Sequence, residues 1–426
     1  DSSTSRGLGD VYKRQMHNRF DPVPFYGECR SALAGFFDTR DESIGLPFLD
    51  KPALIAAFPR HFMTRTLQDA LRLQDVEYAT TSGTTSDRLQ VIRPQGWWTD
   101  EFERGYRYCP LLADFSMQSH PKASLTTAIC SATACFLDNP GDEERRVGRT
   151  LHLNTRPNPN TWTREDIVRI GEELHRHAPR LLEVDPVYLA IYLKKRADWA
   201  VADTLYRPQV ITCSYELLTA RVRAHLESAF DCPVLGLYGS TELGVLFVED
   251  GLGTYRRCPE RSVIELLPVI PDRQVYELVV TSWKNELMPL LRYRTGDLVE
   301  LSIDAAPQRR YLEHDALPLK ALHGRARDVL LCDDGSFVSA AMVDQAIAQS
   351  DWTGLLYQLE FSPGRLVFRY TVHPAQGDEP ALQLPPVLRP WFGRHVTVSA
   401  ERVDEIHPEA SGKFTTIRHV APAAHA

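Results

Sequence analysis

The middle of the chain alternates short apolar runs with longer amphipathic segments, and this alternation constrains the fold more than any other feature. Thr163 followed by Asp166 predicts a capping box, and the apolar residues after it recur at helical spacing. The elements follow in the order helix from Thr163, strand over 180–184, helix from Asp185, strand over 209–213, helix from Thr219 and strand over 233–238. Because parallel strands are joined by crossovers that are usually helices, this order predicts an α/β layer with parallel strands.

The carboxyl-terminal half of the sequence has a different pattern of apolar and turn residues. Segments such as 262–269 and 276–283 alternate with turn residues, which predicts a β-rich region. Ser339 then predicts the start of a helix, and a strand pair about the Ser-Pro-Gly turn at 362–364 predicts a small α+β unit. A chain of 426 residues is too long for one core of the usual size, so we place a domain boundary near 322–328.

Composition excludes several classes of protein. The net charge is −8, from 48 basic and 56 acidic residues, which argues against a dedicated nucleic-acid surface. None of the eight cysteines forms a Cys-x-x-Cys pair, which favours reduced thiols and a cytoplasmic location. No run approaches the roughly 18 apolar residues that a membrane helix needs. The first 15 residues precede Met16 and lack an apolar core, so we interpret them as a non-native or disordered tail.

Hydroxyl side chains and a glycine crowd the segment TTSGTTSDRL, residues 80–89. The residues on either side predict strands, which separates this loop from the Walker phosphate loop that opens a helix. Its hydroxyls, together with backbone N–H groups turned inward at Gly83, could hold an anion. A polar hairpin turn is the alternative, and it is the commoner outcome for an isolated loop of this kind.

Two further motifs follow predicted strands. In LGLYGSTELG, residues 235–244, the ring of Tyr238 could stack on a base, and Glu242 could bind a divalent cation that bridges phosphates. The alternative is a strand-to-helix turn with Glu242 in the first helical turn. In MPLLRYRTGDLVEL, residues 288–301, Asp297 follows a predicted tight turn and could accept hydrogen bonds from ribose hydroxyls. The alternative is an aspartate that satisfies its own backbone.

Two basic motifs lie nearer the carboxyl end. Arg325 and Arg327 lie in a glycine-led connection and could clamp a phosphate or ribose, or could belong to a solvated linker. Lys413 lies on the glycine-containing loop PEASGKFTTIR and could reach into a cleft. Surface lysines are abundant, so Lys413 is uninformative by itself.

These five motifs occur in one order and at separations found together in one superfamily. On them, the chain resembles the adenylate-forming acyl-CoA synthetases, and within these the phenylacetate–CoA ligase-like branch. The resemblance runs from about Thr80 to Arg418. It implies the adenylate-forming enzyme fold, an α/β architecture with a large multi-layer N-terminal domain, a β-rich subdomain and a small mobile α+β C-terminal domain. The implied domains are a tail at 1–15, a large adenylate-binding domain at 16–323, a hinge at 324–328 and a C-terminal domain at 329–426.

The resemblance also implies a role for each motif residue. Phosphate-loop residues would be Thr81, Ser82, Gly83, Thr84 and Thr85. Residues around the adenine would be Ser214, Tyr215, Glu216 and Tyr238, and Gly239 and Ser240 would also bind the nucleotide. Ribose or phosphate contacts would come from Asp297 and Arg325, while Arg327 would lie in the hinge. The residues of the reaction would be Thr241 at the α-phosphate, Glu242 as Mg²⁺ ligand and Lys413 as the mobile lysine of adenylation.

The implied activity is ATP-dependent activation of a carboxylic acid to an acyl adenylate, followed by transfer to coenzyme A. An aryl or arylacetic acid is the expected substrate, with a medium-chain fatty acid next. By family position, candidates for the acyl pocket are Trp97, Trp98, the stretch 126–136, Leu237 and Phe247, some of which are expected to be core residues. ATP, Mg²⁺ and coenzyme A are the expected cofactors, and a homodimer is left open. One alternative is an adenylating enzyme that loads a carrier-protein phosphopantetheine or stops at nucleotidyl transfer, as in coenzyme F390 synthetase. The other is a catalytically silent nucleotide-binding subunit, suggested by Ser86-Asp87 where the family prefers glycine. Cys258 alone remains of the cysteines that hold zinc in many relatives, so we expect no zinc.

Overall fold

The computed structural model describes residues 18–29, 32, 46–81, 88–127, 140–270, 274–301, 310–311, 319–332, 337–350, 352, 354, 356–371, 388–392 and 396–420. The α-helices are α1 (Lys51–Ala57), α2 (Arg65–Leu73), α3 (Trp97–Tyr106), α4 (Arg164–His177), α5 (Pro186–Asp198), α6 (Ala220–Phe230) and α7 (Ala340–Ile347). The strands of the first half are β1 (Val76–Thr80), β2 (Gln90–Pro94), β3 (Lys122–Leu125), β4 (Arg146–Val147), β5 (Thr150–His152), β6 (Leu181–Val184), β7 (Val210–Cys213), β8 (Val234–Ser240), β9 (Gly244–Glu249) and β10 (Tyr255–Arg257). The remaining strands are β11 (Ser262–Ile270), β12 (Val275–Ser282), β13 (Leu290–Leu301), β14 (Arg310–Tyr311), β15 (Leu319–Arg325), β16 (Leu330–Leu331), β17 (Phe337–Val338), β18 (Tyr357–Ser362), β19 (Arg365–Tyr370), β20 (Thr397–Arg402) and β21 (Ile417–His419).

A 13-stranded sheet runs through the described residues in the order β14-β11-β12-β13-β15-β10-β9-β8-β7-β6-β3-β5-β4. Within this order, the neighbouring strands β5, β3, β6, β7 and β8 pair in parallel. Strand β8 then pairs with β9 in antiparallel fashion. Helices α5 and α6 connect β6 to β7 and β7 to β8, as crossovers between parallel strands require. The predicted α/β layer is therefore confirmed, and the β-rich region continues the same sheet.

Side-chain caps start the helices where the sequence predicts them. Thr163 and Asp166 form a reciprocal capping box on α4, and Asp185 accepts the first backbone N–H groups of α5. Thr219 and Ser339 cap α6 and α7 in the same way. Each cap satisfies a backbone donor that lacks a partner within the helix, so these starts are decided locally.

Two local predictions are wrong in detail. Asp297 lies inside the 12-residue strand β13 and not at a tight turn. Gly296, with φ of +72°, forms a bulge in this strand, so the chain continues after the irregular position. Arg325 ends strand β15 and so lies outside the predicted connection, whereas Arg327 lies in the three-residue 3-10 helix Ala326–Asp328 that connects β15 to β16.

The carboxyl-terminal residues build a separate sheet in the order β20-β19-β18-β21. It packs with α7 around its own apolar cluster, which includes Trp352, Leu359 and Phe368. The hairpin predicted from the Ser-Pro-Gly turn is the antiparallel pair of β18 and β19. The domain boundaries at 323 and 328 stay predictions, and the tail at 1–15 lies outside the described residues. None of the described helices is both long enough and apolar enough to cross a bilayer.

Candidate functional site

A cavity of about 720 Å³ opens where the carboxyl ends of β7 and β8 meet β13, β15 and the loop around Lys413. The carboxyl ends of parallel strands are where open α/β sheets bind their ligands. Every described residue of the predicted site lines this cavity: Thr81, Ser214, Tyr215, Glu216, Tyr238, Gly239, Ser240, Thr241, Glu242, Asp297, Arg325, Arg327 and Lys413. Ser82, Gly83, Thr84 and Thr85 lie outside the described residues, as do Ser86 and Asp87.

Asp297 joins two other residues on the cavity wall. The hydroxyl of Tyr238 donates to Asp297 Oδ2 at 2.8 Å, and Arg325 Nε lies 3.0 Å from Oδ1. Desolvation and the adjacent Asp297 carboxylate raise the pKa of Tyr238, so this phenol stays a donor. Arg325 also donates to the carbonyl of Thr295 at 3.2 Å, and Asp297 raises the pKa of this guanidinium. Each carboxylate oxygen has two lone pairs, so Asp297 retains acceptor capacity towards a ligand.

The tight turn between β8 and β9 carries the second group of predicted residues. Glu242 is buried, and its Oε1 accepts a hydrogen bond of 2.9 Å from Tyr293 on β13. The Oγ atom of Ser240 is buried and has no hydrogen-bond partner among the described residues. Gly239 is required where it lies, because a Cβ atom there would approach the carbonyl oxygen of Gly244 to 2.2 Å. The turn joins two strands, so the alternative of a strand-to-helix turn is wrong.

The third group follows β7 and meets the loop from the carboxyl-terminal part. Lys413 Nζ donates to the carbonyl of Tyr215 at 2.8 Å, and the backbone N–H of Phe414 donates to Glu216 Oε1. Tyr215 has φ of +74°, an unfavourable value for a residue with a side chain. Such strain persists only where the surroundings impose it, and it is frequent at functional sites.

Two carboxyl groups beside Lys413 are electrostatically unusual. Asp185 is fully buried, and this burial raises the pKa of its carboxyl to about 7, against the lowering influence of α5 N–H groups and Lys413. Burial also raises the pKa of Glu216 well above its ordinary value, and the neighbouring Asp185 raises it further. A proton on one of these carboxyls reduces their mutual repulsion, so the pocket around Lys413 is sensitive to protonation.

Residues considered for an acyl pocket divide between cavity and core. Trp98 and Leu237 line the cavity. Trp97 is instead buried, with its Nε1 donating to the carbonyl of Lys284 at 3.0 Å, and Phe247 is buried in the core beside Tyr238. Of the candidate stretch 126–136, residues 128–136 lie outside the described residues.

Two further candidate residues were not predicted from the sequence, because only tertiary contacts bring them to the site. Tyr293 holds Glu242 across the sheet, and nothing in its local sequence distinguishes it from other strand residues. Glu183 also lines the cavity and lies in the otherwise apolar strand β6. An acid inside a buried strand was a usable signal, because such strands usually read as continuous apolar runs.

Solved structures with a similar fold cover most of this chain. The 2-hydroxyisobutyryl-CoA ligase in the postadenylation state, bound to R3-HIB-AMP, superposes with a TM-score of 0.68 at 14% identity, over 98% of this chain and 89% of that one. The anthranilate CoA ligase AuaEII, bound to anthranoyl-AMP, gives 0.54 at 14% identity over 80% of this chain and 65% of that one. The chain therefore has the fold of the adenylate-forming acyl-CoA ligases.

Similarity in sequence is more limited. Protein CapK of Staphylococcus aureus is 31% identical over 183 residues, which are 42% of this chain and 40% of that protein. The match thus spans less than half the length of this relative. No protein-family model matches the chain.

Proposed function

We propose that this protein activates a carboxylic acid with ATP to an acyl adenylate and then transfers the acyl group to coenzyme A. The observation that carries the proposal is the convergence of Tyr238, Glu242, Asp297, Arg325 and Lys413 on one cavity. These residues come from distant parts of a chain with the adenylate-forming fold. A merely structural role for each motif would not require them to face the same space.

The chemical problem is a reaction between two anions. The substrate carboxylate attacks the α-phosphorus of ATP, the bond to the bridging oxygen breaks, and pyrophosphate leaves with that electron pair. Donors and cations placed where charge accumulates lower the barrier, and one such donor typically contributes about 10²–10³ in rate. In this proposal Lys413 and Thr241 supply those donors at the α-phosphate. Asp297 and Arg325 hold the ribose, and Tyr238 stacks on the adenine.

Mg²⁺ fits the residues around Glu242. Among the described residues no group of three or more histidine, cysteine or acidic side chains could hold a metal ion. Mg²⁺ bound with nucleotides commonly takes one or two carboxylates and completes its shell with phosphates and water. The carboxylate of Glu242 is a ligand of this kind, and Ser240 Oγ, which has no partner within the described part of the chain, is a further oxygen beside it. When bound, the ion would neutralise phosphate charge, while Tyr293 orients the Glu242 carboxylate.

The second half-reaction needs a thiol. The thiolate of coenzyme A attacks the acyl carbon of the adenylate, AMP leaves, and a thioester forms with the release of one proton. Lys413 interacts with the carbonyl of Tyr215 and belongs to a loop beyond the proposed hinge at 324–328. Movement of that loop would withdraw the lysine and admit the thiol, a gating step of a known kind.

Acid-dependent exchange of labelled pyrophosphate into ATP tests the proposal directly. Across a panel of aryl, arylacetic and medium-chain acids, we expect at least one acid to support exchange, and the same acid to yield a thioester with coenzyme A. Absence of exchange with every acid, in protein that binds ATP, would instead favour a silent nucleotide-binding subunit. Exchange without thioester formation would favour a carrier-protein acceptor.

Lys413→Ala separates the half-reactions. Because the lysine stabilises charge at the α-phosphate, its loss is expected to reduce exchange by about 10²–10³-fold. Thiolysis of a supplied acyl adenylate is expected to change less than threefold, on the order of 0.6 kcal/mol. An equal loss in both assays would contradict the assignment.

A further inference from the structure

A buried ion pair forms part of the cavity floor. Lys122 Nζ lies 2.7 Å from Glu183 Oε2, and the two side chains are 2% and 5% exposed. Glu183 lines the cavity, and Ser214 Oγ donates to its other oxygen at 3.3 Å. The ammonium group of Lys122 also lies 4.1 Å from the ring centroid of Phe102, a second residue of the cavity lining.

Charge is unusual at this position. Glu183 lies in β6, whose other three residues are buried and apolar. Replacing a buried ion pair by apolar side chains of similar volume is often neutral or stabilising, so burial of the pair is weak evidence for a stabilising role. Binding of a ligand in the cavity gives a reason for a charged pair to be buried here.

Buried hydroxyl groups lie next to this pair. Ser124, Glu183 and Thr212 are in register on the neighbouring strands β3, β6 and β7. Among the described residues, Ser124 Oγ is buried without a hydrogen-bond partner, whereas Thr212 and Tyr106 lie close enough for their hydroxyls to pair with each other. These three residues do not line the cavity themselves, so Glu183 is the polar group of this cluster that a ligand can reach.

The carboxylate of Glu183 has spare acceptor capacity. Two carboxylate oxygens offer about four lone-pair sites, and the described partners are Lys122 and a long contact to Ser214. Trp98, Phe102 and Leu237 provide apolar surface in the same cavity. A ligand that satisfies this combination has an apolar, flat body and a hydrogen-bond donor that reaches Glu183.

We propose that Glu183, held by Lys122, selects an acid whose aromatic body carries a hydroxyl or amino group. This inference rests on the proposed function and names its substrate class. Because Lys122 already balances the charge of Glu183, an uncharged donor fits the subsite better than a second cation. The reacting carboxylate would point towards Thr241 and Lys413, and the donor would point towards the ion pair.

Binding of acyl-adenylate mimics tests the inference without turnover. The probes are 5′-O-sulfamoyladenosine conjugates of phenylacetate and of its ortho-, meta- and para-hydroxy and amino derivatives, titrated into the full chain by calorimetry. A hydrogen bond to a charged group typically contributes roughly 10–100-fold to binding affinity. We therefore expect at least one substituted conjugate to bind about tenfold or more tightly than the unsubstituted parent.

Paired substitutions identify the origin of that preference. In Lys122→Met/Glu183→Leu, the advantage of the substituted conjugate is expected to fall below about threefold. The matched control is Arg145→Met/Glu173→Leu, which removes an equally buried pair of 2.6 Å that does not line the cavity, and it should keep the preference. If the first double variant does not fold, Glu183→Gln carries the test, and at least a threefold drop in preference is required.

The outcomes separate this inference from the proposed function. If the parent conjugate binds but no substituted conjugate binds more tightly, or if the preference survives loss of the ion pair, the subsite assignment is wrong and the adenylating function stands. If no conjugate binds at all, the subsite assignment is wrong, and the pyrophosphate-exchange panel decides separately whether the adenylating function stands. A preference lost only with the Lys122–Glu183 pair supports the inference.

Discussion

At the scale of single residues, the site depends on side chains that hold one another. Asp297 is shared between the Tyr238 hydroxyl and the Arg325 guanidinium, and Glu242 is held by the Tyr293 hydroxyl. Arg325 is 43% exposed at its side chain, so solvent screens its pair with Asp297. The value of such an arrangement lies in orientation more than in stability, because a ligand meets groups that are already in position.

Asp297→Ala is expected to weaken ATP binding by about 10-fold or more, because a ribose contact to an ionised acceptor is lost. Equilibrium titration with ATP measures this effect. Tyr238→Phe is the comparison, since it removes a donor to Asp297 while retaining the aromatic face, and a smaller loss is expected. An unchanged affinity in Asp297→Ala would refute the ribose assignment.

Asp185 gives a prediction about pH. Its carboxyl has a raised pKa of about 7 in the folded chain, against about 4 in an unfolded one, so the native state holds the extra proton between these values. The free energy of unfolding should therefore decrease as pH rises from about 4 to 7. Asn at this position keeps the helix cap but does not titrate.

Urea denaturation of the wild type and of Asp185→Asn at pH 5 and pH 7 measures that contribution. We expect the wild type to lose about 2 kcal/mol more than the variant over this interval. Glu216 and Lys413 face the same pocket, and Asp185→Asn removes the influence by which Asp185 raises the pKa of Glu216. The difference between the two proteins therefore reports the coupled pair Asp185–Glu216. Parallel pH profiles for the two proteins would contradict the raised pKa.

At the scale of elements, backbone irregularities lie next to two residues of the proposed site. The bulge at Gly296 changes the register of β13 just before Asp297. Gly412 has φ of +83° immediately before Lys413, and the hydroxyl of Tyr188 donates to its carbonyl at 2.9 Å. A Cβ atom at Gly412 would lie 2.9 Å from Thr127 Cβ, so this loop is packed closely against the large domain.

Gly412→Ala is therefore expected to displace Lys413 and to reduce pyrophosphate exchange by at least about tenfold, because misplacement of a catalytic group by about 1 Å is costly. Gly253→Ala is the matched control, since Gly253 also has positive φ, +85°, but nothing lies within 4 Å of its added Cβ. Positive φ alone should cost each variant on the order of 1 kcal/mol of stability, and Gly412→Ala should lose more because its Cβ also crowds Thr127. Equal exchange rates in the two variants would show that the packing of Gly412 is unimportant.

At the scale of the whole molecule, the carboxyl-terminal part contacts the large sheet domain at α6 as well as at the cavity. The guanidinium of Arg221 lies 4.7 Å from the ring of Trp352, and its backbone N–H donates to Asp344 on α7 at 3.2 Å. The side chains of Arg221 and Asp344 are 9% and 3% exposed. These contacts are shielded from water, so their loss is expected to destabilise the protein more than the loss of a surface ion pair.

Arg221→Ala is expected to loosen this attachment. Hydrogen exchange of residues 340–350 should accelerate, and stability should decrease by about 1–2 kcal/mol, because the guanidinium loses its contacts with the Trp352 ring and with the carbonyls of Trp352 and Gly354. The backbone N–H of residue 221 keeps its hydrogen bond to Asp344 in this variant. Arg207→Ala removes the exposed pair with Asp231, in which the side chains are 61% and 77% exposed, and should change stability by less than about 0.5 kcal/mol. Similar exchange rates at 340–350 in both variants would contradict a specific contact at α6.

Local chemistry was sufficient for much of the fold. Asp185, Thr219 and Ser339 start helices because their side chains satisfy the first backbone donors, and that rule operates within a few residues. The turn at Asp297 was predicted wrongly because Thr-Gly-Asp is compatible with both a turn and a bulge. Pairing of β13 with β12 and β15 decides between them, and this pairing is not visible in a local segment.

The sequence by itself determined the helix starts, the alternation that makes a parallel layer, and the order of five motifs that resembles one superfamily. Tertiary structure alone decided that Tyr238, Asp297 and Arg325 contact one another, that Tyr293 holds Glu242, and that an ion pair of Lys122 with Glu183 reaches the cavity. The reason is physical: caps and periodicity arise from interactions between near neighbours in the chain. The site arises from strands and loops that lie far apart in sequence and meet only when the sheet has formed.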